Sequence, residues 1–219
     1  MKTAKDVGGD FYDFFEIDDN RLLFLIADVS GKGIPAALFM MRAKTLIKTL
    51  AETKELTIDM IITAVNDELS SNNDAKMFVT CWAGILYINE GILHYVNAGH
   101  NPPLLKRRNG KYQYLNMKKN FVLGGLPDFI YQKEEIKLNK GDSILIYTDG
   151  VTEASNSNKE LFGEDRLIKS LREINGSSVK TVIEHVNNEI DLFVGNNPQF
   201  DDITMLVFDY SKKESKWEK

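Results

Sequence analysis

The sequence predicts an α+β fold in which pairs of helices cover the outer faces of a β-sandwich built from two mostly antiparallel sheets. Two patterns support this prediction. Consecutive helical patterns occur as a pair twice along the chain, and short apolar runs separated by turn residues occupy much of the rest. A chain of 219 residues with 43% hydrophobic residues can form the core of one domain, which we assign to residues 1–210. Residues 211–219 are predicted to form a polar C-terminal tail.

The first part of the chain is predicted to contain a buried strand followed by two helices. Residues 21–28 are nearly all apolar and are followed by glycines, which is typical of a buried strand. Apolar residues at helical spacing predict a helix over residues 35–52, with Pro35 in its first turn, and a second helix over 58–69. Two helices in a row rule out a simple alternation of strand and helix.

After these helices the spacing changes to that of strands joined by tight turns. We predict an antiparallel meander of four strands, with turn residues at 89–91 and 108–110, and a further strand pair across the turn at 139–142. Two helices and one last strand complete the chain. The predicted elements of this part are strands at 78–88, 92–97, 103–106, 112–115, 131–138, 143–148 and 203–208, and helices at 164–174 and 179–193.

The overall composition argues against several classes of protein. A net charge of −5 and a pI near 5.3 argue against a nucleic-acid partner, because phosphate backbones recruit clustered Lys and Arg. The single cysteine, Cys81, cannot form an internal disulfide, and its apolar surroundings predict a buried, inert thiol. No stretch approaches the roughly 20 apolar residues that span a bilayer, so we expect a cytoplasmic location with no membrane insertion. The first motif already lies at position 8, as expected of a piece of a longer protein.

Four short acidic motifs lie far apart in the sequence, each at the edge of an apolar run. They are Gly8-Gly9-Asp10 with Asp13, Asp28-Val29-Ser30-Gly31, Thr148-Asp149-Gly150 and Asp201-Asp202-Ile203-Thr204. Asp28 is the most informative, because a carboxylate after a buried run is costly unless it is paired, hydrogen-bonded or bound to a metal. The glycines after it allow close backbone approach, and Val29 could add a carbonyl ligand. Carboxylates that converge from distant strand ends suit Mg²⁺ or Mn²⁺, so we expect metal-assisted chemistry on a phosphate.

Each motif taken alone also has a simpler explanation. Asp149-Gly150 is a common turn dipeptide. Residues 31–36 formally match a dinucleotide-binding pattern, but a second helix follows where that fold requires a parallel strand. His100 lies in a loop rich in turn-forming residues, where a structural role is favoured over substrate contact or proton transfer. Zinc is disfavoured because the sequence contains no His or Cys cluster.

Taken in order, these motifs resemble those of the SpoIIE/RsbU-type branch of the PPM (metal-dependent, type 2C-like) Ser/Thr protein phosphatases. The resemblance spans nearly the whole chain. The matching stretches include VGGDFYD at 7–13, ADVSGKGIPAAL at 27–38, MFVT at 77–80, NAGHNPP at 97–103, YTDGVTEA at 147–154 and DDIT at 201–204. The family implies a four-layer αββα sandwich that binds two divalent cations, Mn²⁺ or Mg²⁺, between its sheets.

The resemblance also implies roles for individual residues. Asp28 would bridge both metals, the Val29 carbonyl would join one of them, and Asp149 and Asp201 would bind the other. Asp10 would be an outer acid that ligates directly or through water. Asp28, Asp149 and Asp201 are thus the expected catalytic acids. The residues expected to contact substrate or to orient the ligands are Asp13, Ser30, Lys32, His100, Gly150 and Asp202.

The implied reaction is hydrolysis of phosphoserine or phosphothreonine on a protein by water that the two cations activate. The family further implies a phosphorylated STAS-domain protein, an anti-anti-sigma factor of bacterial partner switching, as substrate. It also implies an upstream sensor domain or protein, and it leaves a homodimer open. A phosphatase-like binding module without turnover is the alternative. Ser30 stands where eukaryotic type 2C enzymes have a histidine, so the general acid is unassigned, with metal-bound water and His100 as candidates.

Overall fold

The computed structural model of this protein describes residues 1–4, 8–71, 73–174 and 178–211. It contains two antiparallel sheets, one of five strands and one of four. Helices pack on the outer face of each sheet, and a third core fills the space between the sheets. The predicted α+β, four-layer αββα fold is therefore confirmed. Apart from Ser211, the predicted C-terminal tail lies outside the described residues.

The elements follow one another as groups of strands and pairs of helices. The strands are β1 (Phe11–Asp18), β2 (Arg21–Val29), β3 (Val79–Tyr87), β4 (Ile92–Ala98), β5 (Leu104–Lys106), β6 (Tyr112–Tyr114), β7 (Glu134–Lys137), β8 (Ser143–Tyr147) and β9 (Met205–Asp209). The helices are α1 (Ile34–Glu52), α2 (Ile58–Ser70), α3 (Asp149–Thr152), α4 (Gly163–Glu173) and α5 (Val179–Val194). The five-stranded sheet has the order β1-β2-β3-β4-β7, and the four-stranded sheet has the order β6-β5-β8-β9.

Strand β2 contributes side chains to two cores at once, because successive residues of a strand point to opposite faces. Leu23 and Leu25 pack in the core formed with α1 and α2. Phe24 and Ile26 pack in the core between the two sheets. Both faces of this strand are covered, which explains why its sequence is apolar without alternation.

Strand β8 has the same position in the other sheet. Leu145 and Tyr147 pack in the core formed with α4 and α5, whereas Ile144 and Ile146 face the five-stranded sheet. The inward faces of β2 and β8 therefore meet in one apolar layer. Polar side chains can be accommodated between the sheets where this apolar layer ends.

The predicted pairing of the strands at 131–138 and 143–148 is wrong. Strand β7 pairs with β4 in the five-stranded sheet, whereas β8 pairs with β5 and β9 in the other sheet. The predicted four-strand meander also divides between the sheets after β4. At both places the chain crosses from one layer to the other, and turn residues alone do not distinguish such a crossing from a hairpin.

Strand β1 is an additional strand that the sequence pattern did not indicate. Phe11, Phe15 and Ile17 face the core formed with α1 and α2, but acids at positions 13, 16 and 18 interrupt the apolar run. Strand β1 lies at the edge of its sheet. The other face of this edge strand tolerates Glu16 and Asp18, and Asp13 on the packed face pairs with Lys44 of α1. These charges obscured the period of two.

Cys81 lies in β3 and is buried, as predicted. Burial raises the pKa of its thiol to about 12, so the reactive thiolate is disfavoured at neutral pH. Among the helices of the described ranges, none is long and apolar enough to cross a bilayer.

We expect Ile144→Ala to lower the free energy of unfolding by about 2–5 kcal/mol, because it leaves a cavity between the sheets. Ile144 is 1% exposed, whereas Ile130 is 76% exposed and provides the matched control. Ile130→Ala should change the stability by no more than about 0.5 kcal/mol. Urea unfolding measures both values. Equal losses in the two variants would contradict the assignment of Ile144 to the inter-sheet core.

Candidate metal centre

The space between the sheets changes from apolar to polar at one end. Along β2 the inward-facing positions run from Phe24 and Ile26 to Asp28, and along β8 they run from Ile146 to Thr148 just beyond the strand. Residues two apart share one face of a strand, so this change follows directly from the alternation. Carboxylates and hydroxyls therefore meet where the apolar layer ends.

Asp10 is buried in this polar end and is 2% exposed. Its Oδ2 accepts hydrogen bonds from the Thr148 hydroxyl at 2.7 Å and from the Thr204 hydroxyl at 2.6 Å. The Thr204 backbone N–H donates to Thr148 Oγ1 at 3.1 Å, which ties the two threonines together. The loop before β1 is thereby fixed to the end of β8 and the start of β9.

Asp202 holds the same loop through its backbone. Its Oδ1 accepts a hydrogen bond from the Ala4 N–H at 2.8 Å, and its Oδ2 accepts one from the Gly9 N–H at 2.9 Å. A Cβ at Gly8 would lie 2.3 Å from Asp202 Oδ2, so a side chain at that position would displace the carboxylate. Asp202 therefore orients the loop that carries Asp10.

Asp149 begins the short helix α3 directly after Thr148. The next residue, Gly150, packs against the backbone of the loop before β9, where a Cβ would lie 2.0 Å from the Asp202 carbonyl oxygen. This contact brings Asp149 close to Asp201. Burial raises the pKa of Asp149, and the negative charge of Asp201 raises it further.

The pKa of Asp28 is raised more than that of Asp10 or Asp149. Burial raises the pKa of Asp28, and the negative charges of Asp10, Asp149 and Asp201 add to this effect. Burial also raises the pKa of Asp10, although the hydrogen bonds from its two threonine partners oppose the shift. Such a group of carboxylates cannot remain fully ionised in a buried site unless a positive charge offsets theirs.

Lys32 brings a positive charge to this site. Its Nζ lies 2.9 Å from Asp201 Oδ2 and donates a hydrogen bond to the Phe200 carbonyl at 2.7 Å. The ammonium also lies 4.0 Å from the centre of the Phe200 ring, in cation–π geometry. Lys32 therefore joins the loop after Asp28 to the loop before β9.

The donor atoms at this end of the sandwich fit a hard divalent cation, because all of them are oxygens. They are the carboxylates of Asp10, Asp28, Asp149 and Asp201 and the backbone carbonyl of Val29. Gly9 leaves that carbonyl uncovered, since a Cβ there would lie 3.1 Å from it. Within the described residues, no three His, Cys, Asp or Glu side chains form a ready cage for a metal. Lys32 contacts Asp201 through Oδ2, so a cation bound at that oxygen would compete with the ammonium.

Comparison with known proteins assigns the family. The family model described as stage II sporulation protein E (SpoIIE) matches residues 18–211, which is most of the chain. The chain belongs to the SpoIIE family. The predicted resemblance to SpoIIE/RsbU-type PPM phosphatase domains is thereby confirmed.

Two relatives align with nearly all of this SpoIIE-family chain. Protein IcfG of Synechocystis sp. is 32% identical over 233 residues, which cover 94% of this chain and 36% of IcfG. Phosphoserine phosphatase RsbU of Bacillus subtilis is 32% identical over 204 residues, which cover 93% of this chain and 60% of RsbU. The chain thus spans about a third of the length of IcfG and less than two thirds of that of RsbU.

A solved structure has the same fold as this SpoIIE-family chain. The SiaA-PP2C domain of Pseudomonas aeruginosa superimposes on it with a TM-score of 0.85, covering 96% of this chain and 84% of that one. The two sequences are 23% identical. At this identity the likeness establishes the fold, which is the PP2C fold.

Two residues of the SpoIIE-type motifs lie away from the acidic cluster. Asp13 shares the face of β1 that packs toward α1, and its carboxylate lies 3.6 Å from Lys44 Nζ. Its placement therefore supports an ion pair between β1 and α1 instead of the predicted role near the substrate. Ser30 Oγ accepts a hydrogen bond from the Phe78 N–H at 2.9 Å, which ties the loop after β2 to the start of β3.

His100 is buried, and its ring nitrogen Nδ1 lies 2.8 Å from Thr80 Oγ1. Thr80 pairs directly with Asp28 across β2 and β3. The backbone of His100 is held on both sides by the Asn97 side chain. Burial lowers the pKa of His100 to about 3, so the ring is neutral at physiological pH. This geometry fits the structural role better than that of a proton donor.

Three residues of the site were not singled out from the sequence. Thr148 and Thr204 hold Asp10, and each lies two residues from an inward-facing apolar residue, so strand alternation could have found them. Glu153 follows α3 and lies near two of the acids. Burial raises its pKa, and the charges of Asp149 and Asp201 raise it further.

We expect Thr204→Val to lower the free energy of unfolding by about 1–3 kcal/mol, because valine keeps the shape but removes one donor to the buried Asp10 carboxylate. Thr204→Ser is the matched control, since it keeps the hydroxyl, and it should retain more stability than the valine variant. Urea unfolding in EDTA compares them without any contribution from bound cations. A serine variant as unstable as the valine variant would show that the methyl group, not the hydrogen bond, accounts for the loss.

Proposed function

We propose that this chain is a metal-dependent protein phosphatase that hydrolyses phosphoserine or phosphothreonine in a protein substrate. One observation carries the proposal: four acids from separate parts of the sequence meet at the polar end of the sandwich, where burial and the charges of the other three raise the pKa of Asp28. These acids are Asp10, Asp28, Asp149 and Asp201. Membership of the SpoIIE family supports the proposal, as does the similarity to RsbU, which is named a phosphoserine phosphatase.

The proposed site would hold two divalent cations, Mn²⁺ or Mg²⁺, and Asp28 would be a ligand of both. The Val29 carbonyl would complete one position, Asp149 and Asp201 the other, and Asp10 would be the outer ligand. Cations in such a site neutralise the charge of the phosphate and lower the pKa of a water molecule. The hydrogen bonds from Thr148 and Thr204 lower the pKa of Asp10 and so favour the charged form that a cation needs.

Direct attack by water fits the other groups of the site, since none of them is poised as a covalent nucleophile. Cys81 is buried with a pKa of about 12. The Ser30 hydroxyl accepts a hydrogen bond from the Phe78 backbone. His100 is buried and neutral, so it does not activate a neighbouring hydroxyl by taking its proton near neutral pH. The chemistry is therefore proposed to proceed without a phosphoenzyme.

The finer assignment concerns the biological substrate. We propose a phosphorylated STAS-domain protein of a partner-switching pathway in the cytoplasm, because the chain resembles RsbU-type phosphatases along nearly its whole length. The phosphatase domain at residues 1–210 would act under the control of an upstream sensor domain or protein. The greater length of IcfG and RsbU supports such a regulator. A homodimer is a further proposal, which sedimentation analysis of the purified chain would test.

We expect Asp28→Asn to reduce Mn²⁺-dependent hydrolysis of p-nitrophenyl phosphate by roughly 100-fold or more, because the amide removes the charge that both cations share. Asp13→Asn is the matched control, since Asp13 is paired with Lys44 on the face toward α1. That variant should retain activity within about twofold, because Asp13 is not a proposed ligand and its partly exposed ion pair, 3.6 Å long, contributes at most about 1 kcal/mol. Circular dichroism would confirm that both variants are folded.

The same assay distinguishes a phosphatase from a binding module. Activity of the unmodified protein should disappear in EDTA and return when Mn²⁺ is restored. A folded protein that binds a phosphopeptide but shows no turnover with Mn²⁺ would support the binding module instead. Equal activity of the Asp28→Asn and Asp13→Asn variants would contradict the proposed site.

A further inference from the structure

A second cavity adjoins the acidic cluster and is not used by the chemistry proposed above. It has a volume of about 270 Å³ and lies between the end of α3 and the C-terminal end of α5. Gly150 and Asp201 line it together with residues 194, 195 and 197–200. Asp201 also lines the small pocket that contains Asp28. The cavity, which we call the flanking groove, is thus separated from the pocket of the candidate metal centre by Asp201.

The floor of the flanking groove is apolar. Ile190 and Val194 come from α5, and Ile203 comes from the loop before β9. Phe200 stands at the rim with 73% of its surface exposed. A large exposed ring beside an apolar floor offers a contact surface for an apolar side chain of another molecule.

The walls of the flanking groove are fixed by hydrogen bonds within the chain. Asn197 donates to the Ser155 carbonyl at 3.2 Å, which links the two sides of the groove. Gln199 donates to the Asp201 carbonyl at 2.7 Å. These contacts hold the loop after α5 against the end of α3. The groove is therefore already formed, and a ligand that binds there does not have to order this loop.

Three acidic side chains line the flanking groove, and two of them form ion pairs with lysines. Asp191 is paired with Lys2 at 3.0 Å, and Asp201 is paired with Lys32 at 2.9 Å. Glu153 lines the groove and is exposed, and it makes no ion pair or side-chain hydrogen bond within the part of the chain that the structure describes. Burial raises the pKa of Glu153, and Lys32 is close enough to lower it, but Lys32 forms its ion pair with Asp201. The Glu153 carboxylate is therefore open to a basic side chain next to the apolar floor.

We propose that the flanking groove binds the polypeptide segment next to the phosphorylated residue of the substrate, with a basic side chain against Glu153 and an apolar side chain on the Val194 floor. This proposal rests on the proposed phosphatase function and names the substrate class: phosphoserine or phosphothreonine with a basic and an apolar neighbour. Charge complementarity selects the basic side chain, and the shared Asp201 wall places it beside the phosphate.

The size of the flanking groove agrees with this occupant. Pockets for small ligands have volumes of roughly 300–1,000 Å³, so a cavity of about 270 Å³ has room for part of a chain. Its Glu153 carboxylate disfavours an anionic occupant such as nucleic acid. A peptide with one basic and one apolar side chain matches both the Glu153 carboxylate and the apolar floor of the groove.

The test uses synthetic phosphoserine peptides that carry either Arg or Glu at one position at a time on each side of the phosphoserine. We expect the unmodified protein with Mn²⁺ to hydrolyse the Arg peptide of at least one pair with a kcat/KM roughly tenfold above that of its Glu partner. Glu153→Gln should reduce this preference to about twofold or less, and Glu153→Arg should reverse it. Each preference is a ratio of two kcat/KM values measured on the same variant, so a change in the rate of the chemical step that affects both peptides equally cancels.

A second pair of variants tests the apolar floor. Val194→Arg should lower kcat/KM for peptides with an apolar neighbour by roughly tenfold or more while p-nitrophenyl phosphate hydrolysis is retained. Leu192→Arg is the matched control on the same helix, because Leu192 is 79% exposed and lies outside the groove. It should leave both activities unchanged.

The outcomes separate this proposal from the proposed function. No hydrolysis of p-nitrophenyl phosphate or of any peptide by the unmodified protein would overturn the function itself. Hydrolysis of p-nitrophenyl phosphate without a preference between Arg and Glu peptides, or a preference that Glu153→Gln leaves intact, would overturn the flanking groove alone. Equal effects of Val194→Arg and Leu192→Arg would overturn the proposed role of the apolar floor.

Discussion

The burial of several carboxylates at the end of an apolar layer is the constraint on which the rest of this structure depends. An ionised carboxylate removed from water costs several kcal/mol unless partners replace its hydration. The protein supplies three kinds of partner. Threonine hydroxyls bind Asp10, backbone amides bind Asp202, and the Lys32 ammonium binds Asp201. Among the residues that the structure describes, no hydroxyl, backbone amide or ammonium binds the Asp28 carboxylate in this way, and divalent cations would supply the missing partner.

The surrounding fold holds these charges in place. The inter-sheet core brings β2 and β8 together, and their alternation directs Asp28 and Thr148 to the same end of the sandwich. The close contact between Gly150 and the Asp202 backbone then sets α3 against the loop before β9. Each acid is therefore positioned by packing that lies outside the site, which is the arrangement that preorganised sites require.

Much of this architecture could be predicted from the local spacing of apolar residues, because that spacing shows which side chains of a helix or strand are buried. The helices and most strands follow from spacings of 3.6 and 2 residues. Strand pairing could not be predicted in the same way. Strands β7 and β8 are joined by an ordinary turn but belong to different sheets, and this choice depends on the packing of the whole inter-sheet core.

The sequence likewise predicted some features of the candidate site and not others. Acids after apolar runs, such as Asp28, were found because their burial is unusual. Asp10 and Asp13 were grouped by sequence, yet Asp10 lies before β1 and binds threonines of the other sheet, whereas Asp13 faces α1 and pairs with Lys44. The strand alternation that separates them could be applied only once β1 was recognised as a strand.

Anomalous X-ray diffraction from crystals grown with Mn²⁺ would test the central claim most directly, because it locates the cations independently of any assay. The account predicts two manganese peaks at the polar end of the sandwich, with Asp28 in contact with both and Asp149 and Asp201 in contact with one. Ordered carboxylates with no manganese among them at saturating Mn²⁺ would contradict it.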